Sequence, residues 1–219
     1  MLQVLGDLLP YAVPVALSPL PAIAMVMLLL APAGNRGGLG FLAGRVATLA
    51  AIAFLVALLA GRLAGAVGGE GRAGWLRIGL GCLLVAGAIV VWLRRPRGEP
   101  AMPGWMRSLE QAGPAAAVRL GGLLTVVNLK EVALVVGAGT IIGAVELPAG
   151  QALALAVTFA VLAGLGCGLP LIWSLAAGPA ARDRLAALRD WLVRNQPALI
   201  AAVLLLLGVM LIGSGLEAL

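Results

Sequence analysis

The chain contains no histidine, which removes the commonest general base and the commonest metal ligand. Its two cysteines, Cys82 and Cys167, stand far apart in apolar runs. They form no C-x-x-C redox pair and read as buried helical thiols. Charged residues are scarce at 11% and aromatics at 4%. A soluble domain carries about a quarter of its residues charged. A soluble globular enzyme, a disordered chain and a nucleic-acid-binding domain are therefore excluded. No G-x-x-x-x-G-K-[ST] loop occurs, so the chain has no ATP site of its own. Lysine occurs once, as Lys130, with arginine supplying the other basic residues, a bias of GC-rich bacterial genomes that carries no chemistry. No catalytic residue, metal site or cofactor is expected, and the chain does not read as an enzyme.

What fills the sequence is apolar. Of 219 residues 62% are hydrophobic, with a mean hydropathy of +1.10. The net charge of +6 lies between apolar blocks and not on one face. That is the pattern of cytoplasmic loops in a membrane protein, and nucleic acid is not an expected partner.

Crossing the hydrocarbon takes about 20 mostly apolar residues. Six stretches qualify: 8–31, 40–60, 75–93, 116–145, 151–175 and 198–216. Turn-forming residues separate them at 32–38, 68–72 and 146–150. The longest polar stretch, 94–114, divides the chain nearly in half. Arg36, Arg94, Arg95, Arg97, Arg107, Arg119, Arg182, Arg184, Arg189 and Arg194 fall on one side of the membrane, and only Arg62, Arg72 and Arg77 on the other. Basic loops stay inside, so both termini are expected outside a cytoplasmic (inner) membrane crossed six times. Residues 1–7 carry only Asp7 before the apolar run, so the first span is expected to be retained rather than cleaved as a signal. In 180–195, Leu185, Leu188 and Leu192 recur at helical spacing. This segment reads as an amphipathic helix on the inner membrane surface, or as a spacer without lipid contact.

The expected fold is thus an all-α polytopic membrane protein. Residues 1–93 form one three-helix repeat, 94–115 a cytoplasmic linker, and 116–219 a second repeat that includes the amphipathic helix. An odd number of spans per unit forces the two copies into opposite orientations, the inverted repeat of many secondary transporters. At an offset of 110 residues Ser18-Pro19-Leu20-Pro21 falls on Asn128-Leu129-Lys130-Glu131, Gly40 on Gly150 and Thr48 on Thr158.

Spans one and four differ from the others. Span one holds Pro10, Pro14, Pro19 and Pro21, each of which removes a backbone hydrogen bond. In lipid the freed carbonyls need a partner from protein or a wet cavity, and Ser18 is placed to supply one. Pro10 and Pro14 read as kinks. Span four holds Asn128, Lys130 and Glu131 about halfway across. Each ionised side chain there costs about 2.5 to 3.5 kcal/mol, and intramembrane charges are usually functional. Adjacent residues on a helix diverge by about 100°, so Lys130 and Glu131 do not simply pair with each other. Arg45 is one candidate partner for Glu131, although snorkelling to the cytoplasmic surface from one turn inside span two is the preferred reading of it. Ser18, Pro19, Pro21, Asn128, Lys130, Glu131 and Arg45 are the candidate substrate and ion pathway. Gly137-x-Gly139 and Gly164-x-Gly166-x-Gly168 read as close helix packing.

At these residues a resemblance appears. Ala16-Leu17-Ser18-Pro19-Leu20-Pro21, the apolar run to Ala31-Pro32, Val127-Asn128-Leu129-Lys130, and the closing Trp191-Leu192-Val193-Arg194-Asn195 with Leu211-Ile212-Gly213 are similar to the GAP family. These are the actinobacterial peptidoglycolipid- and sulfolipid-addressing, Sap-like, proteins of the lysine-exporter (LysE) superfamily. The resemblance covers nearly the whole chain. It implies a six-helix inner-membrane protein that helps export lipids or other amphiphiles to the cell envelope. Leu129 stands where the family usually has proline, so the break in span four is expected to be milder than in relatives. The leading expectation is a secondary transporter or export factor for an amphiphilic cargo, with membrane lipids as partners. Alternatives are a LysE-type exporter of amino acids or cations, and a non-transporting subunit that assists a larger lipid exporter. Association into a homo-oligomer stays open. A thiol–disulfide electron carrier of the superfamily would need a cysteine in each broken helix, whereas these lie in spans three and five.

Overall fold

Pro19 cannot donate to the carbonyl of Val15, nor Pro21 to that of Leu17, so a helix entering this stretch has to end. It does. In the computed structural model, which describes residues 2–63, 70–94, 113–145 and 147–217, helix α1 (Leu2–Ala16) stops just before Ser18 and α2 (Pro19–Leu30) restarts at the first proline. Pro19 suits that position, because the first turn of a helix has no use for its missing N–H. Pro10 and Pro14, by contrast, sit within α1 without ending it. The elements that follow are α3 (Gly34–Leu63), α4 (Glu70–Leu93), α5 (Pro114–Val127), α6 (Leu129–Ala144), α7 (Ala149–Ala177), a 3-10 turn (Gly178–Ala181) and α8 (Arg182–Leu216). Every regular element among the described residues is helical. The linker positions 95–112, Gly68-Gly69 and Glu146 lie outside the described residues.

Three helices are long and apolar enough to cross a membrane alone: Gly34–Ala60, Ala149–Ala177 and Arg182–Leu216. Two helix pairs pass the same test together but bend at a short break, Gln3–Ala16 with Pro19–Leu30 at 59°, and Pro114–Val127 with Leu129–Ala144 at 81°, so the described helices give three spans, or up to five if each pair is one span. The apolar part of α4, Ile78–Leu93, is shorter. Helices one and four are therefore broken. The second break is the sharper, although no proline follows it. Its cause is local. Asn128 leaves helical geometry at ψ 87°, and its carbonyl then accepts the amides of Glu131 and Val132 to start the next helix.

Two boundaries move. The Gly-rich 34–38 does not form a turn but opens α3, so span two begins six residues before Gly40. The 180–195 segment and span six are one continuous helix across Pro197. Leu185 and Leu192 are buried and Leu188 packs with them against α2 and α7. The apolar stripe of this segment therefore covers protein, and not the inner membrane surface.

The core has two parts. One joins α1, α3, α6 and α7 around Leu8, Leu49, Ile142 and Phe159. The other places the wholly apolar α2 against Phe41, Leu171, Leu185 and Leu192. Helices α3 and α5 approach until backbones touch: a Cβ on Gly44 would overlap the carbonyl of Val118, and one on Gly121 that of Phe41. Such contact needs glycine and suits a lipid setting, where close packing replaces the hydrophobic drive. Gly139 and Gly166 lie against the carbonyls of Ala53 and Ala16, so those glycines are packing positions as well. The outer surface carries Leu55, Leu83, Ile172, Val209 and many other exposed large apolar side chains. A surface of that kind requires hydrocarbon around it. The chain is a membrane protein.

Candidate functional site

The two breaks meet. Asn128 Nδ2 donates to Ser18 Oγ at 3.4 Å, and Lys130 Nζ donates to the same oxygen at 3.3 Å. Residues 110 positions apart in the sequence are thus neighbours across the junction. Ser18 is buried at the N-cap of α2 without capping it, since its hydroxyl serves the other break.

Behind this junction lies an ion pair. Arg45 NH1 donates to Glu131 Oε2 at 2.8 Å and to Thr125 Oγ1 at 3.3 Å. Arg45 NH2 reaches the carbonyl of Val15 at 3.4 Å. That carbonyl, which Pro19 cannot serve, also accepts the amide of Ser18 at 3.2 Å, so the guanidinium is a second donor to the end of the broken helix. Asn128 Nδ2 donates to the other Glu131 oxygen at 2.9 Å. Thr125 in turn donates to the carbonyl of Gly121. Arg45 Nε is the one buried side-chain nitrogen or oxygen among the described residues with no hydrogen-bond partner.

Arg45 is 0% exposed, which corrects the snorkelling reading. The reason is the shifted start of α3. Eleven residues separate Gly34 from Arg45. At 1.5 Å per residue that is about 16 Å along α3 from its start, where Thr125, Glu131 and the carbonyl of Val15 enclose the guanidinium. Pairing is then forced, because an isolated buried charge is costly.

Of the residues singled out from sequence, Ser18, Asn128, Lys130, Glu131 and Arg45 form one connected network, and Pro19 and Pro21 are buried at the start of α2 beside it. Glu131 and Lys130 point to different partners, as their angular separation requires. A cavity of about 440 Å³ opens at the junction. Ser18, Asn128 and Lys130 form its polar side, with apolar walls from Leu20, Leu124, Val127 and Leu129. Helix α8 closes it with Gln196, Ile200 and Leu204. Sequence reasoning missed Gln196 and Thr125. Gln196 had a signal: it is an uncharged polar residue directly before Pro197, inside what is one helix. Thr125 had none, as threonines in membrane helices commonly bond their own preceding turn. Among the described residues no cluster of three or more Cys, Asp or Glu is placed to hold a metal. Cys82 is exposed and Cys167 buried, both as free thiols.

No individually curated protein and no solved structure matches this chain. A family model does, over residues 8–217, the stretch that contains both breaks, the ion pair and the cavity. The chain belongs to the family of Sap, the sulfolipid-1-addressing protein.

Proposed function

We propose that this protein is a six-span exporter of the cytoplasmic membrane that moves an amphiphilic, lipid-like solute toward the cell envelope. Both termini lie outside, and the two three-helix units are inverted repeats that rock against each other around the junction of the breaks. Lipid-related export or addressing follows from the family. The mechanism rests chiefly on one observation: both broken spans contribute to a single cavity, polar on one side and apolar on the other.

One further contact supports the repeat. Residues equivalent under an inverted repeat touch only near its axis, and Ser18 and Asn128, matched at the 110-residue offset, do so. The third spans of the two units, α4 and α8, also pack closely, although at a different offset, since Gly81 and Gly208 are 127 positions apart. A Cβ on Gly81 would meet the carbonyl of Gly208, and one on Gly208 that of Gly81. In this reading Lys130 and Asn128 face the cargo, while Arg45 and Glu131 hold the break that presents them.

Purified protein in liposomes tests this directly. A fluorescent long-chain lipid should cross faster in proteoliposomes than in empty vesicles, while labelled amino acids and monovalent cations should not. Flux of the small solutes alone would support a LysE-type exporter instead. Absence of any flux, together with co-purification of an energised lipid exporter, would make the chain an accessory subunit.

A further inference from the structure

The cavity at the junction has an apolar mouth. Val127 and Leu129, which line it, are 70% and 80% exposed. They flank Asn128 at the break, in the middle of an apolar helix pair that passes the length and hydropathy test for a membrane span. A site filled from water places polar groups at its entrance, whereas exposed Val and Leu within a span face acyl chains. Inside, polar groups converge from three spans: Ser18, Asn128 with Lys130, and Gln196.

The charges do not balance. Arg45 and Glu131 cancel, and both Glu131 oxygens are occupied, one by Arg45 and one by Asn128. Lys130 has three donors, and its partner is the neutral hydroxyl of Ser18. The ion pairs among the described residues are Arg45–Glu131 and Arg189–Asp190, so no described carboxylate lies within 4.0 Å of Lys130. With Lys130 protonated the junction carries one net positive charge, and its opening is flanked by exposed Val127 and Leu129. The volume of about 440 Å³ falls near the lower end of ligand pockets, room for a head group and the start of a chain but not for a whole lipid.

We infer that this cavity is a side-entry site for the singly anionic head group of an acyl amphiphile dissolved in the bilayer. Lys130 is its counter-charge, Gln196 a second polar contact, and Leu129, Ile200 and Leu204 the wall along which the chain leaves toward the membrane. The inference rests on the reading of this cavity as the cargo site, and it adds the entry route and the charge of the ligand.

Photolabelling in nanodiscs of zwitterionic lipid tests it. The probe is a long-chain alkyl methyl phosphodiester with a diazirine near the head group. Its comparators are the uncharged methyl triester of the same chain and water-soluble dimethyl phosphate. The diester should label peptides containing Leu129 or Ile200, and the triester about tenfold less. Unlabelled diester should compete, and dimethyl phosphate should not. Lys130→Met should lower labelling about tenfold, Lys130→Arg should retain it, and Gln196→Leu should weaken it less than Lys130→Met does. If Lys130→Met does not fold, the diester–triester comparison in the wild type and in Lys130→Arg still decides. Equal labelling by the triester, or undiminished labelling of folded Lys130→Met, overturns the charge assignment. Competition by dimethyl phosphate overturns side entry. Charge-selective labelling without lipid flux would leave this site standing and remove the exporter reading. Lipid flux with charge-indifferent labelling would do the reverse.

Discussion

Arg45 and Glu131 form an ion pair 2.8 Å apart that links the middle of α3 to the first turn of α6, with both side chains sealed from solvent. The pair fixes the geometry of both breaks. Through NH2 the arginine reaches the carbonyl of Val15 at the end of α1, and through NH1 it holds the carboxylate beside Asn128. Lys130, one residue before Glu131, is left to face the cavity.

Removing one partner of a buried pair strands the other charge. Arg45→Met and Glu131→Gln should each lower stability by about 3–5 kcal/mol, and the double variant should recover part of that loss. Thermal unfolding in detergent measures all three. Single variants that unfold no earlier than the wild type would show that the pair is not what holds the breaks.

Close backbone contact between α3 and α5 should make their glycines intolerant. Gly44→Ala and Gly121→Ala place a methyl group onto the carbonyls of Val118 and Phe41, so the helices must separate. A cost of about 1–3 kcal/mol or more follows. Gly213→Ala in α8 meets nothing within 4 Å and should be neutral or mildly stabilising. Melting temperatures of the three variants check this, and equal values would contradict the packing.

The distribution of arginine predicts an orientation with both termini outside. In a background without Cys82 and Cys167, a membrane-impermeant thiol reagent added to intact cells should label a cysteine at position 2 and spare one at position 107. The opposite pattern would reverse the topology and the direction of export with it.

Much of this was legible in the sequence because hydrocarbon imposes simple demands. Apolar length marks spans, and Ser18-Pro19 and Asn128 mark the two breaks, since proline and a mid-span polar run stand out against such a background. Depth was not legible. Gly34-Asn35-Arg36-Gly37-Gly38 has the composition of a turn, yet it is helical, with Gly38 seated tightly against Leu29 and Leu171. That tertiary packing outweighs glycine's weak helix propensity, and it places Arg45 eleven positions inside α3, fully buried in the protein. The same kind of error, a helix divided at Pro197, hid Gln196 from the site. The amphipathic stripe of Leu185, Leu188 and Leu192 showed that one face is covered, but periodicity says nothing of whether lipid or protein covers it.

The central claim is that the two breaks form one moving junction. Ser18 Oγ and Asn128 Nδ2 are 3.4 Å apart, so cysteines at these two positions can be bridged by oxidation or by a short bis-thiol reagent. Lipid flux through proteoliposomes of Ser18→Cys/Asn128→Cys, in a background lacking Cys82 and Cys167, is the measurement. The account predicts that flux stops when the bridge forms and returns when it is reduced, while each single-cysteine variant is indifferent to oxidant. Undiminished lipid flux through fully bridged protein would contradict it.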